Sequence, residues 1–160
     1  RAALFSMLDA AGVVRLQNEY KLLERGQFSI VLAGADDPNG PFDQKRPAQL
    51  VREIRQARGK DAYILMLSHR NDELDLWANM GVQTVLCGHG HGGIVRLPFV
   101  GAVFGTHLDL FPDYTAGLYQ KGQTSMIVSR GLGGSRKLPL RIGNRPEIVT
   151  VILKTDSGEI

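Results

Sequence analysis

The residues best suited to chemistry are two histidines, His89 and His91, in a glycine-rich stretch that follows a short apolar run. Neutral imidazole is the commonest side-chain metal ligand, and the flanking glycines leave each ring free to turn toward a different ion. A glycine-rich turn with incidental histidines would have the same sequence, because short histidine motifs also arise by chance. The pair alone therefore leaves both interpretations open.

A third histidine favours the metal interpretation. His69 ends a second apolar run of strand length, which starts at Tyr63. In open α/β sheets ligands bind beyond the carboxyl ends of the strands, so histidines at two strand ends are expected to converge. Cys87 lies in the apolar run before His89, where a buried, inert thiol is expected rather than a zinc ligand.

The elements that must position these histidines follow from the apolar pattern. Strands are predicted at 63–69 and 82–87, with a helix at 71–80 between them. This order makes a β-α-β unit, so the two histidine-tipped strands are expected to be parallel neighbours. The other predicted elements are helices at 1–11 and 47–58, a hairpin at 18–34, and strands at 125–129 and 148–154.

Two acidic residues, Asp36 and Asp37, follow the predicted strand that ends at Gly34. Their position makes them candidate ligands or acid–base groups. The sequence Asp-Asp-Pro-Asn-Gly-Pro is also typical of a turn, and the turn is the favoured interpretation.

The composition is that of one folded domain rather than a disordered chain, with 160 residues, 43% hydrophobic and 22% charged. The net charge of +3 is mild and does not favour a nucleic-acid partner. Several basic residues crowd the stretch from 130 to 145, which is either a solvated loop or a surface for an anionic substrate or membrane. A single cysteine excludes an intramolecular disulfide, and no apolar run has the length of a transmembrane helix.

The motifs around the histidines resemble a known family. Leu-Ser-His-x-x-Asp at 67–72, followed by Cys-Gly-His-x-His-Gly-Gly at 87–93, is similar to the C-terminal half of the calcineurin-like metallophosphoesterases. The resemblance extends over nearly the whole chain, to the bacterial YkuE/YaeI-like branch of that family. Its further segments are Gly117-Leu118-Tyr119, Val128 to Gly133, Leu140 to Gly143, and Pro146-Glu147-Ile148.

The resemblance implies a fold, a cofactor and a function. It implies a layered α/β sandwich, of which residues 1–160 would be the C-terminal portion, with a mixed sheet and flanking helices. It also implies two divalent ions (manganese, iron or zinc) that activate a hydroxide to hydrolyse a phosphomonoester, phosphodiester or pyrophosphate bond. His69 and His89 would bind one ion and His91 the other. Relatives are often cytoplasmic or membrane-attached, so the location stays open.

Two further residues are assigned by comparison with the motifs. Arg130 matches the Val-Ser-Arg-Gly segment of the family and is a candidate for binding the substrate phosphate, although a structural ion pair would explain it equally well. His107 matches no motif, so a surface or outer-sphere position is expected for it.

One part of the family pattern is absent. Two closely spaced cations need a bridging carboxylate, and three imidazoles supply no negative charge. The family provides its remaining ligands and its proton donor from the motifs Asp-x-His, Gly-Asp-x-x-Asp and Gly-Asn-His-Asp, none of which occurs in residues 1–160. We therefore expect a partial site without a catalytic residue, an inactive isolated chain, and a missing N-terminal half as partner. The alternative is a non-catalytic metal-binding or partner-binding module.

The segment from Ile94 to Phe104 is unusually apolar for a loop, and proline and glycine interrupt it too often for a simple element. It begins three residues after His91, so it must lie near the proposed site. An apolar lip that contacts a lipid-linked substrate or a membrane is one interpretation, and packing on the core is the other.

Overall fold

Short runs of β-branched and leucine side chains form the strands of this protein, and amphipathic segments between them form the helices. A computed structural model describes residues 2–40, 44–134 and 140–154. Its helices are α1 (Ala2–Ala10), α2 (Pro47–Arg58) and α3 (Leu74–Asn79). Its strands are β1 (Glu19–Arg25), β2 (Phe28–Ala35), β3 (Ile64–Ser68), β4 (Thr84–Cys87), β5 (Val95–Leu97), β6 (Gly101–Phe104), β7 (Gly117–Lys121) and β8 (Thr124–Val128).

Six strands form one mixed sheet in the order β1-β2-β3-β4-β8-β7. The pairs β2–β3, β3–β4 and β4–β8 are parallel, whereas β1–β2 and β7–β8 are antiparallel hairpins at the two edges. The structure therefore confirms the predicted mixed α/β sheet, the hairpin near the start of the chain, and the parallel pairing of the two histidine-tipped strands.

Helices α2 and α3 cover one face of this sheet. Helix α2 starts with Pro47, where a missing N–H costs nothing, and the side chain of Gln49 accepts a hydrogen bond from the Arg46 N–H at 2.8 Å. Alternate strand residues point toward the helices and build the core together with the apolar stripe of α2 and Trp77 of α3. Its fully buried large side chains are Trp77, Leu50, Ile54, Ile64, Met66, Met126, Val31, Val82, Val85 and Val128.

The opposite face of the sheet is apolar but open. A row of paired residues, Leu67, Leu86, Ile127 and Leu118, crosses four strands on this face. Leu67 keeps 39% of its surface exposed and Leu118 keeps 62%. In the part of the chain that the structure describes, helix α1 buries none of its own residues.

Two predictions about irregular segments were wrong. The segment from Ile94 to Phe104 forms the hairpin β5–β6, because Pro98 and the positive φ angles of Phe99 (66°) and Gly101 (89°) make a turn between two short strands. Residues 148–154 form no strand, although their apolar residues alternate, since no described sheet edge pairs with them. Among the described residues, none of the helices is long and apolar enough to cross a membrane.

We expect Leu50→Ala to lower the free energy of unfolding by about 2–5 kcal/mol, because it leaves a cavity between α2 and the sheet. Leu50 is 0% exposed. Leu76→Ala removes the same atoms from α3, where the side chain is 39% exposed, and should cost much less. Urea unfolding followed by circular dichroism measures both variants, and equal costs would contradict the packing described above.

Candidate metal centre

The parallel pairing of β3 and β4 brings His69 and His89 to the same edge of the sheet. The N–H of Gly88 donates a hydrogen bond to the carbonyl of His69 at 3.3 Å, which ties the two strand ends together. Nδ1 of His89 lies 2.9 Å from Nε2 of His69, and the two rings meet edge to face with centroids 4.7 Å apart. The expected convergence of these two histidines is thus present.

The separation of the two ring nitrogens fits metal binding as well as a hydrogen bond between imidazoles. A divalent ion that binds two imidazole nitrogens at about 2.1 Å and at a right angle holds them about 3 Å apart. Nε2 of His89 is buried and has no hydrogen-bond partner among the described residues. Neutral nitrogen donors also suit manganese, iron and zinc, so His69 and His89 fit two positions in the coordination sphere of such an ion.

Among the described residues, no hydrogen bond or ring contact joins His91 to this pair, although His69 is near enough to lower its pKa. The loop from 88 to 93 turns tightly, with Gly90 N–H to Gly88 O and Gly93 N–H to Gly90 O hydrogen bonds, both of 2.8 Å. His89 and His91 adopt positive φ angles of 65° and 49°. The backbone of Gly133, in the loop after β8, lies close enough to the His91 ring to raise its pKa slightly against the larger effect of burial. Within the ranges described, no group of three or more histidine, cysteine or acidic side chains converges as a ligand set.

Both glycine-flanked histidines are held in the neutral form that binds metals. Burial lowers the pKa of His89 below its ordinary value of 6.5, and the neighbouring His69 lowers it further. Burial also lowers the pKa of His91, where the positive charge of Arg141 adds to the effect. The imidazoles are therefore available as ligands at neutral pH without first losing a proton.

The two aspartates after β2 are held in a turn. Asp37 accepts a hydrogen bond from the Asn39 N–H at 2.8 Å, and its carbonyl accepts one from Gly40. Burial opposes ionisation, but the Asn39 N–H and the charge of Arg70 keep the pKa of Asp37 below its ordinary value. The favoured turn interpretation is confirmed. The side-chain amide of Asn18 donates a hydrogen bond to the Asp36 carboxylate, and the Asp36 backbone N–H donates one to Oδ1 of Asn18.

Arg130 forms the structural ion pair that its motif left open. Its guanidinium lies 2.5 Å from Oε2 of Glu147, and the backbone N–H of Arg130 donates to Oε1 of the same carboxylate at 2.8 Å. The side-chain hydrogen bond from Arg130 lowers the pKa of Glu147. Binding of substrate phosphate by Arg130 stays a prediction, and would require this guanidinium to serve two anions.

The cysteine is inert, as expected. Cys87 is buried beside β8, and burial together with Glu73 raises the pKa of its thiol to about 12. The thiolate that would ligate a metal is therefore disfavoured.

His107 lies at the surface beside the site. It is exposed, as predicted, but its ring centroid lies 5.4 Å from that of His89. The loop from 105 to 111 folds back along β6 through a Phe111 N–H to Val103 O hydrogen bond of 3.1 Å, which carries His107 to the site. A cleft of about 360 Å³ opens beside it, lined by Asn71, Asp72, Thr106, Asp113 and Tyr114 among others.

Comparison with known proteins gives matches to curated sequences. The chain is 39% identical over 153 residues to the uncharacterized metallophosphoesterase YkuE of Bacillus subtilis strain 168, in a match that spans 94% of this chain and 50% of that protein. It is 35% identical over 146 residues to the phosphodiesterase YaeI of Escherichia coli strain K12, spanning 91% of this chain and 49% of that protein. An uncharacterized metallophosphoesterase of Aquifex aeolicus strain VF5 is 31% identical over 126 residues, with 78% and 46% spanned.

No family model matches the chain, and no solved structure matches it. The chain spans about half the length of the curated relatives that it matches. Matches of this extent agree with the histidine pattern at the ends of β3 and β4. The chain belongs to the metallophosphoesterase family, in the branch that contains YkuE and YaeI.

Proposed function

We propose that the complete protein hydrolyses a phosphate ester or pyrophosphate with the help of two divalent metal ions, of manganese, iron or zinc. His69 and His89 would hold one ion, and His91 would hold the second. The observation that carries this proposal is the 2.9 Å approach of Nδ1 of His89 to Nε2 of His69 at the joined ends of two parallel strands. The lowered pKa of His89 supports it, because the ring is neutral at neutral pH.

The residues of this chain supply position rather than negative charge. When bound, divalent ions polarise phosphate oxygens and lower the pKa of water. The strand ends fix the direction of His69 and His89, and the cleft beside His107 has room for the organic part of an ester. Water attack on phosphorus breaks a P–O bond and leaves an alcohol, whose proton must come from a donor. We assign no described residue to that role.

A second polypeptide segment is part of this proposal. Two adjacent cations need a bridging carboxylate, and Asp37, whose pKa is affected by the charge of His69, is already engaged by Arg70 at 3.6 Å. The apolar row from Leu67 to Leu118 also lies open on the sheet. We propose that the part of the family domain not represented in this chain covers that row and brings the carboxylates. The alternative, a non-catalytic metal-binding or partner-binding module, is favoured for the chain by itself.

We expect His89→Ala and His91→Ala each to reduce hydrolysis of p-nitrophenyl phosphate or its bis ester by more than about 100-fold in the complete protein. Removing a residue that only supports a metal ligand typically lowers activity by about 10–100-fold. Removing the ligand itself should lower activity further. Steady-state rates with added Mn²⁺ measure the effect, and circular dichroism checks that the fold is kept.

His107→Ala is the matched comparison, since it removes a nearby exposed imidazole and should reduce the rate much less. Near-parental activity in both His89→Ala and His91→Ala would refute the assignment. The 160-residue chain alone should be inactive and bind at most one ion weakly. Two tight Mn²⁺ sites in calorimetry of that chain would instead show that no further carboxylate is needed.

We also expect the metal-free protein to lose stability as the pH falls below about 6.5. The unfolded chain then takes up protons at His89 and His91 before the folded protein does, because their folded-state pKa values are lowered. The stabilisation that the two neutral histidines contribute is complete above their ordinary pKa of 6.5. It is lost as the pH falls toward their lowered pKa values in the folded protein. Urea unfolding between pH 7.5 and 5.5 should show a smaller loss in a His89→Gln, His91→Gln double variant, and equal slopes would contradict the pKa shifts.

We further propose that the tip of the β5–β6 hairpin contacts a lipid-bearing substrate or a membrane surface. Ile94 and Ala102 are buried and anchor the hairpin, so part of the segment packs inward. Leu97, Phe99 and Val100 at the turn stand exposed, with Phe99 fully so. Large exposed apolar groups on a rigid turn are typical of binding surfaces.

We expect a Leu97→Ser, Phe99→Ser double variant of the complete protein to lose co-sedimentation with phosphatidylglycerol vesicles and hydrolysis of a lipid phosphate. Hydrolysis of a soluble aryl phosphate and the melting temperature should change little, because both side chains are solvated. Ile94→Ser, at a buried position of the same segment, should instead lower the melting temperature. Equal losses on both substrates in the double variant would show that the tip packs on protein.

A further inference from the structure

The backbone of His91 is held by two side chains that lie about fifty residues later in the chain. The amide nitrogen of Asn144 donates to the carbonyl of His91 at 2.9 Å and to that of Gly93 at 2.6 Å. The guanidinium of Arg141 donates to the same His91 carbonyl at 3.2 Å. Asn144 is buried, so these bonds form away from competing water.

This part of the loop needs such partners. His91, Gly92 and Gly93 have consecutive positive φ angles of 49°, 76° and 84°, which gives a tight turn whose carbonyls have no strand partner. The turn also leaves no room for larger side chains. A Cβ on Gly92 would lie 2.5 Å from Cγ of Arg130 and 2.9 Å from Oδ1 of Asn144. The loop therefore depends on donors from outside itself.

Arg141 also fixes the group that the His91 ring contacts. Its guanidinium donates to the carbonyls of Arg130, at 2.8 Å, and of Gly133. The backbone of Gly133 also lies beside the His91 ring. One guanidinium thus holds the backbone of the histidine and a backbone group that lies next to its imidazole. A hydrogen bond from the second ring nitrogen to a carbonyl is the usual way in which a metal-binding histidine is oriented.

The segment that carries these side chains is itself anchored at both ends. We call residues 140–147 the strap. Ile142 exchanges hydrogen bonds of 2.9 Å with Ile94 and Arg96, next to β5, and Glu147 closes the other end through its ion pair with Arg130. Movement of the strap would therefore move His91 relative to His69 and His89.

We propose that Arg141 and Asn144 are positioning residues that set the direction of the His91 imidazole, and with it the affinity of the second metal position. The proposal rests on the proposed function for the identity of the ligand, because His91 is taken as a metal ligand. The contacts of Arg141 and Asn144 with the His91 backbone do not depend on that assignment.

The test uses the complete protein with Arg141→Met, Asn144→Asp and, as conservative change, Arg141→Lys. Arg145→Met is the matched control, since Arg145 is exposed, lies in the strap and makes no hydrogen bond with the described residues. Nitrogen-15 spectra of the imidazoles in the metal-free protein report the tautomer and hydrogen bonding of His91. Calorimetry with Mn²⁺ reports the number and affinity of bound ions, and thermal melting reports stability.

We expect Arg141→Met and Asn144→Asp to change the His91 ring signals and to weaken the second Mn²⁺ site by about 10–100-fold, while the first site is kept. Arg141→Lys should recover part of the loss, and Arg145→Met should match the parent. Unchanged His91 signals and two unchanged Mn²⁺ sites, with only a lower melting temperature, would overturn the proposal and make the strap purely structural.

The proposed function can fail separately. If the parent protein binds no Mn²⁺ while the His91 signals still change in Arg141→Met and Asn144→Asp, the metal assignment is wrong and the positioning of the ring stands. If Arg141→Met does not fold, Asn144→Asp and Arg141→Lys decide the outcome by the same signals.

Discussion

The parallel register of β3 and β4 is the constraint on which the site depends. Met66 pairs with Val85 and Leu67 pairs with Leu86, so the two strands end in step and deliver His69 and His89 to one edge. The register is held by burial, because Met66 and Val85 point into the core beneath α2 and α3. A slip of one residue would turn these side chains to the open face and separate the imidazoles. The register of β3 and β4 therefore determines both the packing of the core and the positions of the two imidazoles.

The charge balance of the site follows from the same arrangement. The strand ends contribute imidazoles, and the carboxylate of Asp37 is held by the Asn39 N–H and Arg70 in a turn. Neutral rings carry no net charge and can approach closely, whereas two anions at that spacing would repel. If this edge binds cations as we propose, groups from elsewhere must balance their charge.

The sequence predicted the parts that depend on local pattern. The apolar runs located β3, β4 and the hairpin β1–β2, and the position of histidines at strand ends predicted that His69 and His89 converge. The prediction of a strand at 148–154 was wrong, because alternation of apolar residues indicates a half-buried face but does not provide a hydrogen-bonding partner for the backbone. His107, Arg141 and Asn144 reach the site through loops, which have no period, so no sequence signal placed them there. Their contacts follow from tertiary packing alone.

Cys87 gives this arrangement a natural reporter. Its sulfur is buried two residues before His89, and its thiol pKa of about 12 keeps the reactive thiolate scarce. Alkylation is therefore expected to be slow while the end of β4 stays paired with β8. Because the sequence has only one cysteine, the labelling rate measures how often this strand end opens, without any engineered probe. Ligands that close the edge of the sheet would slow the labelling, and the site can be followed by mass spectrometry in a crude mixture.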